Sequence, residues 1–148
     1  MTQKSLREFT RQMSQLVPTI MRGILKRHTD EVTRGEITIS QYLVMEMLKR
    51  RGAMKMTQIA LEMGITLPAA TGLVDRLHGT KMLGRTYDKD DRRVVRIHLT
   101  PKGQKLFLRV SREREKMINH VFGKITEEER QTYLKILRKI RDVIYEKP

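Results

Sequence analysis

Two adjacent arginines, Arg92 and Arg93, end a polar run of Asp88, Lys89, Asp90, Asp91, Arg92 and Arg93, with a short extended stretch on either side. The flanking stretches are Gly84–Tyr87 and Val94–Leu99. The second alternates: Val95, Ile97 and Leu99 fall on one face, Val94, Arg96 and His98 on the other. That is the period of a strand buried on one side. The pattern predicts a β-hairpin that holds guanidinium groups on a projecting turn. The chemistry open to such a turn is the recognition of anions in a narrow space, and the minor groove of DNA fits that description.

Composition points the same way. The 148 residues carry 31 Lys and Arg against 17 Asp and Glu, a formal charge of +14. Counterion release then favours a polyanionic partner, whether DNA, RNA or an anionic membrane surface. The absence of cysteine excludes disulfides, thiolate metal sites and cysteine redox sensing. His28, His78, His98 and His120 show no ligand spacing with carboxylates, so neither a metal site nor a cofactor is expected. No nucleophile elbow, phosphate-cradling glycine loop or HExxH motif occurs, and the expectation is a non-enzyme. The opening MTQKSLREFTRQM has no apolar core of signal-peptide length, and no apolar run approaches the ~18 residues of a membrane span. A cytoplasmic chain with no membrane role is expected.

The elements that would position the arginines follow from spacing. Residues 4–30 carry a helical stripe of Leu6, Phe9, Met13, Val17, Ile20, Ile24 and Leu25, interrupted by Pro18, which predicts a kink or a restart there. A polar loop over 30–37 precedes Thr38 and Gln41, a capping box that opens a helix over Ile39–Arg50, closed by Gly52. Thr57–Met63 reads as a short helix with Gly64 as its left-handed cap. Thr66 caps the next helix, Pro68 lies in its first turn, and Ala70, Leu73, Val74 and Leu77 form its inner stripe. Ala60, Gly64 and Ala70 are small where two helices cross, as in a helix-turn-helix. Thr100 and Pro101 start a helix reaching about Gly123, and Thr126 with Glu129 forms a second capping box. The final helix bears the apolar seam of Tyr133, Leu134, Ile136, Leu137, Ile140, Val143 and Ile144.

The fold class expected is therefore mainly α with a small β-wing. Residues 35–103 form a winged helix-turn-helix lobe, 1–34 an N-terminal dimerisation helix and 104–148 C-terminal dimerisation helices. Such a lobe cannot cover the seams at both chain ends, and a second copy is the simplest cover.

In this order of elements the chain resembles the MarR family of bacterial and archaeal transcription regulators. The strongest likeness is the wing signature Asp91, Arg93, Leu99, Thr100 and Gly103, followed by Leu73, Val74, Asp75, Arg76 and Leu77 in the recognition helix. The resemblance implies a homodimer that binds an inverted repeat of double-stranded DNA, usually as a repressor. It also implies release by a small aromatic or phenolic effector held between the lobes. It puts Arg93 in the minor groove, Asp91 beside it as an ion-pair brace, and Arg92 on a neighbouring phosphate or groove edge. A structural reading stands beside this: Asp91 and Arg93 merely stabilise the turn.

The DNA-facing set of the recognition helix is Thr66, Leu67, Pro68, Ala69, Thr71, Gly72 and Arg76. Leu67, Pro68, Ala69 and Gly72 stand where related proteins often carry polar side chains, so direct hydrogen-bond readout is expected to be modest. Arg76 has two readings, a DNA contact or an internal salt bridge. Lys81 departs from the family, which usually has glycine there. Met21, Leu25, His28, Tyr42 and Met45 are candidates to line an inter-lobe pocket, although methionines also fill ordinary cores. The competing function is a basic architectural or RNA-associated protein that uses charge without reading sequence.

Overall fold

The computed structural model describes residues 3–27, 37–88, 91 and 93–146. In chain order the elements are α1 (Gln3–Arg27), α2 (Ile39–Arg51), β1 (Met54–Lys55), α3 (Met56–Met63), α4 (Leu67–Gly79), β2 (Leu83–Tyr87), β3 (Val95–Leu99), α5 (Pro101–Phe122) and α6 (Glu127–Tyr145). This is the mainly helical fold with a small β-wing that the pattern predicts. The chain divides into two compact units, Met1–Ser111 and Arg112–Pro148.

Local chemistry sets the helix boundaries. Thr38 Oγ1 accepts the Gln41 N–H at 3.2 Å while Gln41 Oε1 accepts the Thr38 N–H at 2.8 Å, the reciprocal pair that starts α2. Gly52 ends it at φ +81°. Helix α1 does not restart at Pro18 but runs through it. One lost hydrogen bond costs less than ending one helix and nucleating another.

The core of the first unit lies beneath the helix-turn-helix. Val44, Met45 and Leu48 of α2 pack with Ile59, Ala70, Val74 and Leu77, and the sheet adds Leu83, Ile97 and Leu99. The sheet has the order β1-β3-β2 and is antiparallel throughout. Its first strand pairs Met54 with Ile97 and Lys55 with Arg96. The hairpin was expected as two strands, and this third one is too short to show an alternation. Tyr42 of α2 stacks on Phe107 of α5, with ring centroids 5.4 Å apart, and its hydroxyl is 3.2 Å from Ser111 Oγ.

In the second unit Thr126 and Glu129 form the second capping box, at 2.8 and 3.2 Å. Arg130 closes the preceding turn: its Nη1 donates to the carbonyls of Phe122 at 2.9 Å and Ile125 at 2.6 Å. The Gln131 amide, and next the Arg130 guanidinium, hold the Glu127 carboxyl below the usual carboxylate range. No side chain of α6 is buried, and Ile136, Ile140 and Val143 stand open on it. Helix α1 likewise exposes Leu6, Phe9, Leu16 and Ile20. Among the described residues no helix is long and apolar enough to cross a membrane.

Candidate nucleic-acid interface

The turn between α3 and α4 is fixed by two backbone hydrogen bonds. Gly64, at φ +62°, donates to the Leu61 carbonyl at 3.2 Å, and Ile65 donates to Ala60 at 3.1 Å. This pair of bonds closes a helix on a left-handed residue, and glycine takes that conformation without steric cost. Thr66 then starts α4, accepting the Ala69 N–H at 3.4 Å. Ala60 and Ala70 are buried where the two helices meet.

What α4 leaves outward is small and largely apolar. Leu67, Pro68 and Ala69 are exposed, and Thr71 and Gly72 half-buried. Thr71 Oγ1 donates to the Leu67 carbonyl at 2.9 Å. Arg76 is exposed, and its side chain has no ion-pair partner among the described residues. Its neighbour Asp75 makes an ion pair instead, to Arg85 of β2. The pairing was not anticipated from the sequence. Both side chains are well solvated, so the pair adds little stability, but it ties the recognition helix to the wing.

The corner after α4 repeats the α3 device with a different residue. Lys81 sits at φ +62°, donating to His78 at 2.8 Å, and Met82 donates to Leu77 at 2.9 Å. A β-carbon in this conformation costs on the order of 1 kcal/mol. Lys81→Gly is therefore expected to raise the Tm by about 1–4 °C, because relief of strain exceeds the added freedom of the unfolded chain. Thermal unfolding by circular dichroism would show the reverse sign if the strain were absent.

Thr100 locks this corner to α5. Its N–H donates to the Met82 carbonyl at 3.1 Å. Its hydroxyl lies 2.7 Å from the Lys81 carbonyl and 3.1 Å from that of Met82, and accepts the Gly103 N–H at 3.0 Å. Lys102 Nζ caps the Thr80 carbonyl at 3.0 Å. A β-carbon on Gly103 would lie 2.0 Å from the Met82 oxygen. The Leu-Thr-x-x-Gly run is thus a joint: Leu99 fills core, Thr100 bonds both ways and Gly103 permits the close approach.

In the wing, β2 and β3 pair from Leu83↔Leu99 to Tyr87↔Val95. The tip is closed by Asp88 N–H to the Val94 carbonyl and Val94 N–H to the Asp91 carbonyl, both 2.9 Å. Arg96 Nε reaches Asp88 Oδ2 at 3.0 Å across the base of the turn. Asp91 does brace Arg93, but not by the ion pair expected. Its Oδ1 accepts the Arg93 backbone N–H at 2.9 Å. A carboxylate two residues upstream folds back onto the main chain more easily than it meets a long side chain. The Arg93 guanidinium is left exposed, with no partner among the described residues. Arg92 lies outside the described residues.

Three of the pocket candidates have side chains within the described residues. Met45 is sealed in the core at 0% exposure, Tyr42 is engaged by Phe107 and Ser111, and Met21 is exposed on α1. His28 and the Leu25 side chain lie outside the described residues. No group of three His, Asp or Glu side chains suited to a metal ion occurs among the described residues.

A braced cation beside a helix with a small-residue outer face suits a duplex groove, and comparison with known proteins gives the family. The MarR family model matches residues 37–95, from just before α2 to the first residue of β3. The uncharacterized HTH-type transcriptional regulator YsmB of Bacillus subtilis is 30% identical over 120 residues, covering 80% of this chain and 82% of YsmB. The HTH-type transcriptional repressor MdtR of the same bacterium is 31% identical over 100 residues, covering 68% of this chain and 64% of MdtR. The solved structure of BpsR from Bordetella bronchiseptica, whose DNA binding is regulated by 6-hydroxynicotinic acid, is 27% identical. It superposes with a TM-score of 0.65, covering 85% of this chain and 98% of that chain. With the helix-turn-helix and the first strand of the wing matched, and a relative 30% identical along four-fifths of the chain, the protein belongs to the MarR family of helix-turn-helix transcriptional regulators.

Proposed function

We propose that this chain is a transcriptional repressor that acts as a homodimer on an inverted repeat. One α4 enters the major groove of each half-site, and each wing sets Arg93 into the adjacent minor groove. The observation that carries this reading is the Arg93 guanidinium, held out on a tip braced through its own backbone with no partner among the described residues. Thr66, Leu67, Pro68, Ala69, Thr71, Gly72, Arg76, Asp91 and Arg92 complete the contact surface. The homodimer is supported by the uncovered apolar seams of α1 and α6. Repression is supported by the similarity to MdtR, and release by a small aromatic or phenolic effector by the similarity to BpsR.

Selection from randomised duplexes at about 150 mM salt tests the reading. An inverted repeat with half-sites ~34 Å apart is the expected product. A monomer at micromolar concentration by gel filtration and scattering would remove that arrangement. The apolar outer face of α4 favours one other reading, an architectural or RNA-associated protein. Its mark is the absence of any enriched sequence, with affinity falling as salt rises.

A further inference from the structure

We infer that α4 reads the 5-methyl groups of thymine, so that thymines beneath the start of the helix mark each half-site. The inference rests on the repressor reading above. Between Leu67 and Val74 no side chain carries an amide, carboxylate, ammonium or guanidinium group. The two hydroxyls nearby are engaged locally: Thr66 accepts the Ala69 N–H and Thr71 donates to the Leu67 carbonyl. The first charged side chain, Asp75, is taken by Arg85. None of these groups makes the bidentate contacts that single out guanine or adenine. What remains exposed in the first turn is Leu67, Pro68 and Ala69. The thymine methyl is the one apolar group on a major-groove base edge.

Gly72 gives a second, independent pointer. It sits mid-helix, where glycine is less favourable than alanine, yet nothing lies within 4 Å of the position its β-carbon would occupy. Packing inside the chain does not ask for a glycine there. With Pro68 and Ala69 it lies on one helix face, three and four residues apart, and together they lower that face almost to the backbone. A face so low can bring α4 down onto the groove floor, where the methyl groups are.

The experiment starts from the selected operator and replaces its thymines by deoxyuridine one at a time, which removes the methyl and keeps the pairing. At each contacted thymine the affinity is expected to fall roughly three- to fivefold, the value of one buried methyl. Leu67→Ala, an exposed substitution, should shrink the thymine-to-uracil ratio toward one at its own contact. Gly72→Ala should raise the Tm while weakening operator binding, a combination that a purely structural glycine would not give. An enriched operator whose uracil forms bind as tightly as the thymine form overturns the inference and leaves the repressor reading standing. Failure to enrich any sequence overturns both.

Discussion

Gly103→Ala is expected to destabilise the winged-helix lobe more than any other single methyl addition among the glycines described. The added carbon would lie 2.0 Å from the Met82 carbonyl oxygen, a backbone atom with no rotamer to escape into. Relief requires that carbonyl to retreat by more than 1 Å, on ordinary contact distances. The same oxygen accepts the Thr100 N–H and is approached by the Thr100 hydroxyl, so retreat also breaks the joint between α4 and α5. A clash combined with orphaned hydrogen-bonding groups costs roughly 3 kcal/mol or more. For a chain of this size that is a fall in Tm of some 6–12 °C. A Tm within 2 °C of the parent in a thermal melt would show that the corner yields more easily than its hydrogen bonds suggest. The contrast with Lys81→Gly, at the residue just before Met82 and opposite in sign, makes the pair a sharp probe of this corner.

Arg93→Ala should lower operator affinity about 10- to 100-fold at fixed salt, with the slope of log affinity against log salt reduced by about one. The Tm should hold, because the guanidinium has no partner among the described residues whose loss the fold would feel. If the arginine only stabilised the turn, the two readouts would exchange: the Tm would fall and affinity would stay. Asp91→Ala separates the brace from simple charge. Removing a carboxylate beside DNA should tighten binding if only net charge counts. Removing the acceptor of the Arg93 N–H frees the tip and should weaken binding. Fluorescence anisotropy on the selected operator distinguishes the signs, and we expect the weaker one.

Much of the fold was legible because its punctuation is local. Thr38 with Gln41, Thr126 with Glu129, Thr66 and Gly64 each act within a few residues of themselves, so their types and spacing carry the geometry. The alternation of Ile97 and Leu99 likewise announced which face of β3 is buried. What sequence could not reveal depends on partners far along the chain. Met54 and Lys55 become a strand only because β3 arrives beside them. Asp75 finds Arg85 ten residues on, once the corner has turned. Within the wing, the Asp-x-Arg spacing was informative, but the choice between backbone and guanidinium was decided by the turn itself. Met45 shows the limit of reading a side chain by type, since a thioether suits a pocket wall and a core equally.

The joint at Met82 has a mechanical meaning. With Thr100 bonded across it, Lys102 capping Thr80 and Gly103 seated against the carbonyl, the angle between α4 and the start of α5 has no soft member. Joined in this way, the two helices are expected to move together as arms of one lever. The arm formed by the 13 residues of α4 is roughly 20 Å long at 1.5 Å per residue. A tilt of α5 by about 10° would therefore sweep the far end of that arm by roughly 3 Å, close to the rise of one base pair along a DNA strand. If α4 lies in a duplex groove as proposed, a displacement of that size shifts its first turn by about one base step.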